Sequence, residues 1–133
     1  MAIQLSTAVR NARLDAIETA VGTGAILKLR TGAPPANCAA ADSGTVIISD
    51  TLASDWAAAA SSGSKSFNGT PISGAAIAPG TLGHYRLYAS DGTTCHMQGT
   101  IATSGGDMTV DNTSVNTGQT VNVTGWSITD GNA

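Results

Sequence analysis

Few side chains in this sequence could do chemistry. The two cysteines, Cys38 and Cys95, lie 57 positions apart, and the two histidines are His84 and His96. Metal-binding cysteines usually come as close pairs or with histidines nearby, and here only Cys95 and His96 adjoin. Neighbours on a strand point to opposite faces, so that pair is poorly placed to share one ion. Two readings of the cysteines stand side by side. One is a Cys38–Cys95 disulfide closing a long loop, worth about 3–4 kcal/mol. The other is two small buried thiols in a reducing cytoplasm. The histidines fall on segments that read as paired strands, where a His pair could hold a metal or share a proton. No third ligand accompanies them, and no metal is expected.

Acid–base and nucleophilic motifs are thinner still. Glu18 is the single glutamate, and GxSxG, HExxH and P-loop patterns do not occur. The run Asp107-Met108-Thr109-Val110-Asp111-Asn112 has the acidic alternation of a calcium loop without its glycine and closing glutamate. It reads instead as strand-edge charge that discourages edge pairing. No catalytic residue and no cofactor is expected, and the chain reads as a non-enzyme. A second chemistry, stacking of a sugar on an exposed ring at Tyr88 or Trp126, competes with the need for large core fillers.

Composition narrows the setting. In 133 residues there is room for one compact domain. Hydrophobic residues make up 41%, much of it alanine, while aromatics are 4% and charged residues 11%. A thin core of Ile, Val and Leu under a Ser/Thr/Gly-rich surface is the expectation. A net charge of −3 supplies no footprint for nucleic acid. No run of 18 apolar residues would span a membrane, and the first residues lack the apolar stretch of a signal peptide.

The elements follow from periodicity. Leu5, Val9, Ala12, Ala16 and Ala20 recur at spacings of three and four, with Ile17 and Val21 widening the stripe, so a helix is expected. Ser6 or Thr7 would cap it, and Gly22 with Gly24 would stop it. Arg10 and Arg13 fall on the opposite, solvated side. Strands are expected at 25–30, 44–49, 84–89, 95–101, 107–111 and 119–129, with an Asp91-Gly92 turn joining the third and fourth. One or two short edge strands are expected in 63–79. A change of parity near Gly125-Trp126 indicates a bulge. The fold class is mainly β: a β-sandwich or jelly-roll-like domain over 25–133, preceded by a helix or arm over 1–24.

Three stretches resemble small virion proteins of tailed bacteriophages: Met1 to Asp15, the loop from Arg30 through Pro34-Pro35 to Cys38, and Asn116 to Val121. Within that class the chain looks most like capsid decoration, or cement, proteins. The resemblance implies a structural protein made in the host cytoplasm and carried on the outer surface of the head. Its partners would be the major capsid protein and sister copies of itself, as a dimer or trimer. Leu5, Val9, Arg10, Arg13, Ile17, Pro34 and Pro35 are the expected interface residues. Deleting residues 1–20 should then abolish particle binding and leave the β domain folded. The alternative is a tail component, either a receptor- or glycan-binding module or a tail-tube or connector subunit.

Overall fold

The computed structural model describes residues 2–69 and 72–131. Helix α1 (Thr7–Val21) begins where Ser6, in extended conformation, accepts a hydrogen bond from the Val9 amide through Oγ at 3.3 Å. It ends at Gly22, whose φ of 83° lets the chain turn away while its N–H closes on the Glu18 carbonyl at 2.9 Å. The expected caps are therefore both present. The buried face differs from the expected one. Leu14 and Val21 are buried and Ile17 half-buried, whereas Val9, Ala12, Ala16 and Ala20 are exposed. Physical chemistry explains the rotation. An alanine removes little apolar area from water, and the Leu14, Ile17 and Val21 set removes far more.

Nine strands follow among the described residues: β1 (Ile26–Thr31), β2 (Val46–Thr51), β3 (Ser64–Ser66), β4 (Ile72–Ala75), β5 (Gly80–Tyr88), β6 (Cys95–Ala102), β7 (Met108–Val110), β8 (Ser114–Val115) and β9 (Thr120–Thr129). They form one curled open sheet in the order β2-β1-β5-β6-β7-β9-β3, with β4 also on β9 and β8 on β5. The curl brings its ends together: the Ile77 amide, just past β4, donates to the Ile47 carbonyl of β2 at 2.8 Å. The mainly β class with one N-terminal helix is thus as expected. The segment from Ser54 to Ala60 is an irregular crossing that touches the sheet by a single bridge, Ala57 to Phe67.

Inside the curl lie Leu27, Leu29, Ile47, Leu87, Val110 and Val121, with three rings at one end. Phe67 stacks on Trp126 with centroids 4.7 Å apart, and Trp56 meets both rings near 6 Å, at 6.1 and 6.2 Å. Buried Trp126 donates to the Tyr85 hydroxyl at 2.9 Å. A register shift opposite β7 skips Thr124, so Val121 and Val123 point inward before it and Trp126 after it. This is the bulge that the change of parity indicated.

The acidic run behaves otherwise than expected. Strand β7 lies inside the sheet between β6 and β9, so its flanking aspartates guard no edge. Asp107 accepts from the amide and hydroxyl of Thr100, and Asp111 from the amide and side chain of Asn122. Both tie off a short strand whose own ladder is too small to hold it. The parallel β6–β7 contact spans two residue pairs across a tight loop. Gly106 permits it, since a Cβ there would sit 2.7 Å from the Ala102 amide nitrogen.

Candidate functional site

Two polar assemblies position the segments expected to make contacts. The first fastens α1. Asn11, Asp15 and Glu18 project from the face shared with Leu14 and accept from the backbone amides of Gly63, Ala60 and Ala57, at 2.8, 2.8 and 3.4 Å. The Ala57 and Ala60 amides belong to the irregular crossing and the Gly63 amide to the turn just after it, and all three would otherwise lack partners. Lys65, alone on the short strand β3, completes the assembly. Its ammonium has 0% side-chain exposure and donates to Asp15 Oδ1 at 2.8 Å, Glu18 Oε2 at 3.1 Å and the Ala58 carbonyl at 2.9 Å. All three protons are used. Burial alone would depress the Lys65 pKa; the hydrogen bonds that it donates to Asp15 and Glu18 more than reverse this and raise it. The Lys65 hydrogen bond, with help from the Ala60 amide, lowers the Asp15 carboxyl.

The second assembly covers the far side of β5. His84, Arg86 and Tyr88 alternate away from the core yet are buried, because the loop of residues 32–44 folds over them. Asp42 is the pin. It accepts from Arg30 Nη2 at 2.7 Å, from Arg86 Nη1 and from the Tyr88 hydroxyl at 2.6 Å. Arg86 also donates to the carbonyls of Asn37, Cys38 and Ala40, and His84 Nδ1 meets the Gly32 carbonyl at 2.8 Å. Lys28 caps the Tyr88 ring, with Nζ 4.7 Å from its centre. Burial raises the Asp42 pKa, but hydrogen bonds from Tyr88 and Arg86 outweigh it and the net direction is downward. Burial, reinforced by Asp42, pushes Tyr88 up to about 12.

The same loop carries Cys38 onto β6. Cys38 and Cys95 are free thiols, each half-buried and near one another beside Arg86; Cys95 Sγ donates to the Met97 carbonyl at 3.4 Å. Burial first, and then the Cys95 thiol, raises the Cys38 pKa. The histidines do not join them. Thr100 is the residue opposite His84 on the neighbouring strand, so buried His84 and exposed His96 are not cross-strand partners.

Of the expected interface residues, Val9 and Arg13 are exposed, while Leu5, Ile17, Pro34 and Pro35 are half-buried. Ile17 packs against the core. Arg13 is exposed as expected, but Arg10 is half-buried, and both are tied to Asp130. Arg10 donates to the Asp130 carbonyl at 2.9 Å, and Arg13 pairs with the Asp130 carboxylate at 3.2 Å. The helix is anchored on β3 and Asp130, and the proline loop on β1, β5 and β6, so the two sets rest on different elements. A groove of about 260 Å³ runs between α1 and the end of β9, floored by Leu14, Ile17 and Ile128. A cleft of about 290 Å³ lies beside Asp50, Ser73 and Trp56, where burial raises the Asp50 carboxyl.

Sequence reasoning missed Lys65, Asp15, Glu18, Asp42, Arg30 and Arg86 as a group. One signal was available: with so few charged residues, a lone cation in a Ser/Gly stretch or at an alternating strand position is worth pairing. All five aromatic rings are buried, Tyr88 and Trp126 among them, so neither supplies an exposed stacking platform for a sugar. No family model matches the chain, and no curated protein or solved structure matches it either. Fold and side chains define a class by architecture: a mainly β domain whose N-terminal helix is fastened by a buried lysine. No helix among the described residues is long and apolar enough to cross a membrane.

Proposed function

We propose that the protein is a capsid decoration protein of a tailed bacteriophage, bound to the outside of the head and clamping adjacent major capsid proteins. One observation carries the reading beyond the resemblance of the sequence. Helix α1 is held rigidly from below while its outer side presents Val9, 45% exposed, with Ala12, Ala16 and Ala20, and the arm before it presents Ile3, 83% exposed. An apolar ridge on a pre-ordered helix loses little entropy when a repeated partner covers it. A sister copy or a capsid subunit would supply that cover, and the weakly charged surface would not repel either.

Antibody labelling of purified particles in negative stain tests the reading. Label distributed over the head is expected; label confined to the tail, or particles without the protein, would overturn it. The truncation of residues 1–20 is a poor test, because it removes both carboxylates from buried Lys65 and the β domain would not keep its fold. Val9→Glu leaves the Lys65 assembly intact and should release the protein from particles while its thermal unfolding stays unchanged.

A further inference from the structure

We propose that Cys38 and Cys95 are a reversible dithiol site, closed to an intramolecular disulfide by exchange with a small-molecule disulfide such as oxidised glutathione. The fold brings together two thiols that are far apart in sequence, and does so without a covalent link. Three features favour closure. Cys38 rides on the 32–44 loop, whose position is fixed independently by Asp42 and by three carbonyls bonded to Arg86. Cys95 sits opposite Tyr88 at a register shift in the β5–β6 pairing, an irregular place where a strand can adjust to a bond. Both cysteines are only partly buried, which leaves a reagent a route to them.

The chemistry balances in two steps. A thiolate of one cysteine attacks a glutathione sulfur, forming a mixed disulfide and releasing one glutathione thiol. The thiolate of the second cysteine then attacks the protein sulfur, closing the ring and releasing the second thiol. The protein loses two electrons and two protons, and the reagent gains both. The second thiol lies nearby on the same folded chain, so the second step is intramolecular and should outrun accumulation of the mixed form. The closed state staples the 32–44 loop to β6 and shortens the unfolded chain's freedom across a long loop.

The folded protein is incubated with oxidised glutathione, then denatured, and its thiols, intact mass and tryptic map are read. Both thiols should disappear together, with a mass lowered by two hydrogens. Peptides 31–65 and 87–133 should be joined, and Tm should rise on the order of 10 °C, reversibly with dithiothreitol. Cys38→Ser and Cys95→Ser should each carry one glutathione and show no rise. Retention of both thiols, two glutathione adducts on the unmutated chain, or a disulfide-linked dimer would each overturn the proposal. The proposal does not depend on where in a particle the protein resides.

Discussion

Lys65 gives the most exacting test of how the helix is held. Replacement by Met keeps most of the side-chain volume and removes only the charge and its three hydrogen bonds. The Ala58 carbonyl then loses its partner, and Asp15 and Glu18 are left facing each other. A fully enclosed ion pair broken on one side costs roughly 3–5 kcal/mol. The carboxylates here are 46% and 23% exposed and can partly rehydrate, which pulls the figure down. An expected loss of about 3 kcal/mol lowers the Tm of a chain this size by about 10 °C. The pH dependence gives a second check. The raised Lys65 pKa contributes stability that is complete below its unfolded value of about 10.4 and is lost as pH rises through the folded one. The lowered Asp15 pKa contributes stability present above about 3.9 and lost as pH falls through the folded one. The gap between unmutated protein and Lys65→Met, followed by circular dichroism, should therefore be widest from about pH 5 to 9 and close at both ends. A variant melting within about 3 °C of the unmutated protein at pH 7 would refute the reasoning.

Other expectations follow from the same geometry. Asp42→Asn leaves the buried guanidinium groups of Arg30 and Arg86 without a counter-charge. Because Asp42 is itself 39% exposed, the loss should be about 2–3 kcal/mol by urea unfolding, with faster amide exchange in residues 37–44. Burial pushes both tyrosines, Tyr85 and Tyr88, up to about 12, so absorbance at the tyrosinate band should stay flat through pH 10 in the folded protein. Stability from these groups is complete below about pH 10 and is lost between there and about 12; a native midpoint near 10 would contradict their enclosure. A Cβ at Gly83 would lie 2.2 Å from the Gly32 carbonyl oxygen, so Gly83→Ala should cost about 2–3 kcal/mol by thermal melting. A neutral result there would mean the loop yields freely.

The strands were legible in the sequence because they obey a period of two between turn residues. His84 through Ala89, the Asp91-Gly92 turn and the parity change ahead of Trp126 all appear near the expected places. Strand β8 was not, since two residues show no period. The helix was legible in extent and caps but not in orientation. Apolar spacing pointed to an alanine stripe, while the buried face was chosen by three larger aliphatics and by amides needing acceptors. The covered side of β5 was hidden for a related reason. Alternation marks His84, Arg86 and Tyr88 as facing away from the core. Nothing local reveals that a loop fifty residues earlier returns to bury them around one aspartate. The nearness of Cys38 to Cys95 depends on that same loop, so their spacing in the sequence does not reveal it.

Strand β9 has consequences for how the chain reaches its native state. It is the sole ladder partner of β3 and β4 and one of two for β7. Until residues 120–129 have left the ribosome, β3 and β4 have no strand to pair with, β7 lacks one of its two partners, and Phe67 and Trp56 have no Trp126 to close over. Folding must therefore wait for β9 to emerge, and it is slowed by the many distant contacts that have to form at once.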